Sequence, residues 1–254
     1  AQTPHGLRQL AISEDGHKLY AAAPNRILYG GPTISTSYIH VVNIDPNDRP
    51  KTEANPKKYW KLIGSVATGQ EAYGVQTTGD PNVIAIANRG SDSEGFGVLA
   101  VQNQDPKNFS ATVRHVPLHL GSAQDTLDVN NATSALILPA DALKSAIGPH
   151  PAYAFVGAYN KYTQGDPSHD PDAFTLTPLS LGVQTPGGSN VGIIRDPFGP
   201  NAALVAATNP IPIGVIDNLR FASGYNYLFA AYRGANAVFV FNLVNMIDGV
   251  ETTL

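Results

Sequence analysis

The chain has 254 residues, including 24 glycines and 20 prolines, and no cysteine, so disulfides, thiolate metal ligands and cysteine nucleophiles are excluded. A net charge of −4 without a basic block argues against a nucleic-acid partner. No apolar run approaches the roughly 18 residues that cross a bilayer, and 43% hydrophobic residues suffice for a buried core.

Four segments follow one another with the same pattern of short apolar runs between turn residues. Three strands are predicted in each, at 7–13, 18–23 and 38–45, then at 73–80, 82–90 and 97–105, then at 132–140, 152–160 and 190–196, and finally at 218–223, 227–234 and 236–243. A fourth strand is predicted after each third one, at 61–68, 110–120, 203–208 and 249–254. Helical periodicity is nearly absent, and only one short helix is predicted, at 141–147.

Each unit is expected to form an antiparallel meander, since turn residues such as Asp15-Gly16 separate its first two strands. The second strand consists mainly of Ala, Val, Ile and aromatic residues, which indicates burial on both faces. Repeated four-stranded antiparallel units build a β-propeller. The predicted fold is therefore an all-β propeller in one domain, with blades near 4–68, 69–120, 121–209 and 210–254.

Five motifs mark the units: Pro4-His5-Gly6, Ile12-Ser13-Glu14-Asp15-Gly16, Leu19-Tyr20-Ala21-Ala22, Val41-Val42-Asn43-Ile44-Asp45 and Ala87-Asn88-Arg89-Gly90-Ser91-Asp92. They resemble the bacterial YVTN-type, YncE-like and lactonase-like propeller repeats. The resemblance implies a blade and not an activity. It also implies seven blades where four are counted here, so we expect part of a larger propeller, with a four-bladed ring as the alternative.

A ligand face is predicted where the loops joining strands two to three and strands four to one emerge together. The second strand of every unit ends near a cation, at Arg26, Arg89, Lys161 and Arg233. Such a ring could attract an anionic small ligand or an acidic protein surface. The predicted ligand-binding residues are Arg26, Arg89, Lys161, Arg233, His5 and Asn88. The alternative is that each cation is solvated or hydrogen-bonds locally.

Neither a metal nor another cofactor is predicted. Acidic clusters at Asp125 and Asp128 and at Asp166, Asp170 and Asp172 lack a recognised calcium-ligand spacing. His115 and His119 would lie about 13 Å apart on a strand, too far for one ion. No nucleophile elbow, phosphate loop or dinucleotide fingerprint occurs.

The function predicted from these features is that of a non-enzymatic, secreted or periplasmic module whose loop face binds a protein or an anionic ligand, within a longer chain or a complex. Ala1-Gln2-Thr3 would suit the mature side of a signal-peptide cut. The alternatives are a lactonase-like hydrolase, a subunit of a periplasmic redox enzyme, or a structural spacer. A lactonase would need Glu, His or Arg side chains clustered at the channel, where Glu71 and Glu94 are the glutamates in the predicted loops.

Overall fold

The computed structural model describes residues 7–24, 36–48, 60–89, 94–120, 127–128, 132–159, 188–208, 211–212, 215–233 and 236–253. The first sheet contains β1 (Leu10–Ile12), β2 (Lys18–Ala23), β3 (Thr36–Asn43) and β4 (Lys61–Gln70). The second contains β5 (Ala72–Thr77), β6 (Val83–Asn88), β7 (Phe96–Asn103) and β8 (Ser110–Val116). A two-stranded ribbon of β9 (His119–Leu120) and β10 (Leu127–Asp128) follows.

The third sheet contains β11 (Ala132–Leu138), β12 (Tyr153–Tyr159), β13 (Gly188–Arg195) and β14 (Ala203–Ala207), and β15 (Ile211–Pro212) also pairs with β13. The fourth contains β16 (Val215–Phe221), β17 (Tyr227–Arg233) and β18 (Ala237–Asn242). Helical segments are α1 (Lys144–Ile147), α2 (Leu243–Thr253) and a 3-10 turn at Pro46–Asp48. Within the part of the chain that is described, no helix has the length and apolar character needed to cross a membrane.

The all-β prediction is confirmed, because each of the four sheets is an antiparallel meander of consecutive strands, to which β15 adds one further antiparallel pairing in the third. Three apolar layers separate the four sheets. Tyr20 and Ile86 belong to the layer between the first and second sheets, Val98 and Val156 to the next, and Phe155 with residues of the fourth sheet to the last. Sheets that pack face to face in chain order, each covered by the next, are the blades of a β-propeller.

One predicted strand is wrong, and another ends earlier than predicted. The strand predicted at 249–254 is wrong, because residues 249–253 belong to helix α2. Leu243, Ile247 and Val250 lie four and three residues apart, so a helix buries all three in the layer between the third and fourth sheets. Strand β8 ends at Val116, directly before Pro117, which cannot donate to a strand pairing.

The first strands of the second, third and fourth sheets, which we call the innermost strands, share one irregularity. Each carries a β-bulge near its start, between Ala72 and Gly74 in β5, and likewise between 132 and 134 in β11 and between 216 and 218 in β16. The extra residues are Tyr73, Thr133 and Asp217. A bulge turns a side chain away from the regular alternation, so it gives each sheet one residue at the same end of the innermost strand.

Candidate functional site

The candidate site lies where the first sheet passes into the second. Strand β4 ends at Gln70 and β5 begins at Ala72, so Glu71 alone connects the two sheets. Its φ of 54° is in the left-handed region, which residues other than glycine adopt at an energetic cost. Its carboxylate is nevertheless buried, with the residue 7% exposed. A charged side chain buried on strained backbone marks this connection as a candidate site.

Arg89 holds Glu71 from the neighbouring loop. The Arg89 backbone N–H donates to the Glu71 carbonyl at 2.9 Å, continuing the β5–β6 pairing by one residue. The Arg89 Nη1 lies 3.5 Å from the Glu71 Oε1, and both side chains are largely buried. The predicted convergence of the strand-four-to-one and strand-two-to-three loops is thus observed here, and it brings together a carboxylate and a guanidinium.

Asn88 stabilises the loop between β6 and β7 through backbone hydrogen bonds. Its buried Nδ2 donates to the carbonyls of Thr68 and Glu94, at 2.7 Å each, and so joins the end of β4 to the loop before β7. The Asn88 Oδ1 and the Thr68 Oγ1 are buried without a hydrogen-bond partner among the described residues. Asn88 therefore acts as a support for this site, and its amide group is turned to the backbone.

Glu94 brings a second carboxylate to the same connection. Its Oε2 accepts a hydrogen bond from the Gln70 backbone N–H at 3.2 Å. Close approach is available because position 69 is glycine, where a Cβ would lie 2.4 Å from that Oε2 and where φ is +90°. The backbone conformation favours glycine at this position, and a Cβ there would also displace the end of the Glu94 side chain.

Tyr73, the extra residue of the β5 bulge, contacts two cations. The guanidinium carbons of Arg8 and Arg89 lie 5.4 and 5.5 Å from the centre of its ring, within cation–π range. We call the set Arg8, Glu71, Tyr73, Arg89 and Glu94 the Glu71 cluster. It combines two carboxylates that can accept a proton with two guanidiniums that can bind an oxyanion.

Of the predicted ligand-binding residues, Arg89 belongs to this cluster and Asn88 supports it through the backbone of Thr68 and Glu94. Arg233 occupies the place of Arg89 on the fourth sheet, where its Nε lies 3.0 Å from the Asp217 Oδ2 and its side chain is exposed. Arg26, Lys161 and His5 lie outside the described residues. Both described cations of the predicted ring thus have a carboxylate partner, and ligand binding by these six residues stays a prediction.

Sequence reasoning missed Arg8 and Tyr73 as members of the site. Arg8 precedes β1, and nothing in its neighbours links it to residues of the second sheet. Tyr73 reads as one position of an alternating strand, since a bulge has no clear sequence signal. The pairing of Glu71 with Arg89 could have been anticipated from the predicted loop face, on which both residues had been placed.

Only some of the acidic residues and histidines considered as metal ligands lie among the described residues. The loop with Asp166, Asp170 and Asp172 lies outside the described residues, as does Asp125. Among the residues that are described, no group of three or more His, Asp or Glu side chains could hold a metal ion. His115 and His119 belong to separate strands, β8 and β9.

A polar groove of about 500 Å³ lies at the opposite end of the first two sheets. Its lining includes Asp15, His17, Lys18 and Asp45. These groups bind one another, since the His17 Nδ1 lies 3.5 Å from the Asp45 Oδ2 and the Lys18 Nζ lies 3.5 Å from the Asp15 Oδ2. The groove is thus lined by a turn network that stabilises the first two strands.

Neither a protein-family model nor a curated protein matches the sequence. Among solved structures, a "putative 6-phosphogluconolactonase" from Bacteroides uniformis aligns over 93% of this chain and 50% of its own, with 14% identity and a TM-score of 0.48. This chain therefore spans about half the length of that protein. Hydrazine synthase from Kuenenia stuttgartiensis aligns over 96% of this chain and 67% of its own, with 12% identity and a TM-score of 0.44.

The periplasmic gluconolactonase PpgL from Pseudomonas aeruginosa aligns over 92% of this chain and 67% of its own, with 14% identity and a TM-score of 0.41. At these values the similarity says nothing about the activity of this chain. The resemblance to YVTN-type repeats likewise stays a prediction.

Proposed function

We propose that this chain is the scaffold of a hydrolase that opens a cyclic ester at the Glu71 cluster. The observation that carries the proposal is the buried carboxylate of Glu71 beside the guanidinium of Arg89, 3.5 Å away, on the face where the loops of the first two sheets meet. Clustered glutamate and arginine are what the lactonase alternative requires. Cyclic esters are the proposed substrate class because a lactonase-like hydrolase is the hydrolytic alternative that the sequence left open.

The chemistry follows from the two kinds of charged group. A carboxylate of the cluster, Glu71 or Glu94, takes a proton from water as the water oxygen adds to the lactone carbonyl carbon. Arg89 then stabilises the oxyanion that forms on the former carbonyl oxygen. The ring C–O bond breaks as the intermediate collapses, and the proton passes from the carboxyl to the departing alkoxide. The product is a hydroxy acid, and the carboxylate is regenerated.

A second candidate is binding of an anion without chemistry, as the composition and the predicted cation ring suggest. The observation in its favour is the stacking of Arg8 and Arg89 on Tyr73, which holds two guanidiniums near one ring. Arg26, Lys161, Arg233 and His5 would extend such a surface toward an anionic ligand or an acidic protein partner. A secreted or periplasmic location is part of both candidates.

The test is hydrolysis of glucono-δ-lactone, followed by titration of the acid released at constant pH after subtraction of the spontaneous rate. We expect the wild-type chain to accelerate ring opening. Glu71→Gln should lower the rate by about 10²-fold or more, because a positioned general base contributes roughly 10²–10⁴-fold. Arg89→Ala should lower it by about 10²–10³-fold through loss of oxyanion stabilisation.

The matched control is Glu14→Gln, which makes the same chemical change at the opposite end of the strands. There the Glu14 Oε1 accepts a hydrogen bond from the Gly79 N–H at 3.0 Å, away from the cluster. This variant should keep the wild-type rate. Absence of wild-type hydrolysis, or a rate equal in wild type and Glu71→Gln, contradicts the hydrolase. Calorimetric binding of gluconate that is lost in Arg8→Ala would then favour the second candidate.

A further inference from the structure

The exposed large hydrophobic side chains of the described residues are concentrated at the two ends of the array of sheets. Ten such residues are exposed, and nine of them belong to or adjoin the first or the fourth sheet. They are Leu7, Leu10, Ile12, Tyr38, Trp60, Leu62, Tyr227, Val238 and Val240. The exception is Phe198, in the loop after β13. Apolar patches of this kind usually mark interaction surfaces.

The fourth sheet exposes apolar side chains on one face, beside Arg220 of β16. Phe239 and Phe241 of β18 point into the layer against the third sheet, so the alternate residues Val238 and Val240 point to the other side. Tyr227 pairs with Asn242 and shares that second face. We call this surface the last face.

The internal repeat shows that a sheet normally covers the last face. The β-bulges and strand registers align the last three sheets with one another. In that alignment, Val238 of β18 corresponds to Phe96 of β7 and to Val191 of β13. Phe96 and Val191 are each 0% exposed because the following sheet packs on them, whereas Val238 is 61% exposed. The last face therefore has the composition of an inter-sheet interface without its partner among the described residues.

The first sheet exposes the complementary face. Tyr20 and Val41 point toward the second sheet, so Leu10, Ile12 and Tyr38 lie on the opposite side, which we call the first face.

Leu10 can be matched to residues of the later sheets. It lies three residues before Ser13, just as Val75 lies three before Thr78, and each hydroxyl donates to a carbonyl five residues on. Val75 is 2% exposed because the first sheet covers it, whereas Leu10 is 53% exposed. The first face is therefore the other half of the same kind of interface.

From these two faces we propose that a second copy of this chain docks head to tail, the last face of one copy packing on the first face of the other. A second copy fits because it continues the internal interfaces. In each of them, a surface equivalent to the last face packs on one equivalent to the first face. Each chain carries one of each. Two copies arranged head to tail cover all four open faces and complete a larger propeller.

The test is sedimentation of the 254-residue chain over a range of concentrations, with two variants. The wild-type chain should sediment at twice the mass of one chain. Leu10→Glu and Val240→Glu should each sediment as monomers, because both contacts of the pair contain the altered face. Neither change buries a charge in the monomer, since both positions are more than half exposed. An equimolar mixture of the variants should recover dimers, through the intact last face of one and the intact first face of the other.

Phe198→Glu is the matched control, because it places the same charge on an exposed apolar residue away from both faces, and it should sediment like wild type. A monomeric wild-type chain overturns the proposal. So does a dimer that persists in both single variants, or a mixture of the variants that stays monomeric. Circular dichroism of each variant establishes that loss of the dimer is not loss of the fold.

Discussion

Asn88 illustrates how one buried amide can organise a loop face. Its side chain is buried at the end of β6, yet both of its N–H groups find backbone carbonyls of other segments. One carbonyl belongs to Thr68, three residues before Glu71, and the other belongs to Glu94 itself. The position of Glu71 and Glu94 therefore depends on a residue that does not itself face a ligand.

We predict that Asn88→Ala destabilises the protein by about 1–3 kcal/mol, because it leaves the carbonyls of Thr68 and Glu94 without their donor in a buried place. The measurement is the free energy of unfolding in urea. Gln102→Ala serves as the control, since Gln102 is exposed and donates only to the Thr112 hydroxyl, at 3.2 Å. It should change stability by no more than about 0.5 kcal/mol. Equal effects of the two substitutions would show that the Asn88 amide contributes nothing special.

At the scale of elements, helix α2 is held by charge as well as by its apolar side. The Tyr153 hydroxyl donates to Glu251, and the Arg195 Nε and Nη2 lie 3.3 Å from its two carboxylate oxygens. Tyr153 and Arg195 belong to β12 and β13, so the contact fastens the helix to the third sheet. Burial raises the pKa of Tyr153, and the hydrogen bond to Glu251 raises it further, which keeps the phenol protonated as a donor.

This contact makes stability depend on pH in a definite direction. Burial opposes the ionisation of Glu251, but the hydrogen bonds from Tyr153 and Arg195 outweigh it and lower the pKa of Glu251 below its ordinary value of 4.5. A carboxyl whose pKa is lowered by folding stabilises the protein above that ordinary value. The contribution is lost as the pH falls through the folded-state pKa.

We predict that Glu251→Gln flattens the acid side of the stability curve. The wild-type protein should lose stability progressively as the pH falls below about 4.5, whereas the variant should lose less over the same interval. Urea midpoints at pH 7, 5 and 3 measure the difference. Tyr153→Phe should make this decline smaller and end it at a higher pH, because the carboxylate loses one donor and its folded-state pKa rises toward 4.5. An unchanged slope in Glu251→Gln would contradict this account of the helix contact.

At the scale of the whole molecule, the three apolar layers make the four sheets unequal. The second and third sheets are covered on both faces, whereas the first and fourth are covered on one. The fourth sheet also ends in β18, which pairs only with β17 among the described strands. Local opening should therefore begin at the two ends of the array, where fewer contacts are lost.

We predict that hydrogen exchange follows this order. In the Val240→Glu variant, which we expect to be monomeric, amides of β6 and β12 should exchange slowest and those of the edge strands β1 and β18 fastest. Mass spectrometry of peptic fragments gives the comparison. In the wild-type chain at high concentration, β1 and β18 should gain protection as the second copy covers both faces. Uniform protection of all four sheets in the variant would contradict the unequal stability of the sheets.

The sequence by itself determined the strands and their order. Short runs of small, β-branched and aromatic residues between turn residues can satisfy their backbone only by antiparallel pairing with the next run, so the meanders and their repetition were predictable. The same local logic placed Asn88 and Arg89 at the end of a second strand. These features depend on neighbours within a few residues along the chain or on the adjacent strand.

Only the tertiary structure decided the contacts between sheets. The β5 bulge brings Tyr73 against Arg8, which lies 65 positions earlier, and no local pattern encodes that meeting. Helix α2 forms where a strand was predicted because its apolar side packs in the layer between the third and fourth sheets. Local propensity does not encode that packing. Burial of Glu71 and exposure of Val238 have the same origin, because the packing of one sheet on the next determines which side chains of a repeated unit are covered.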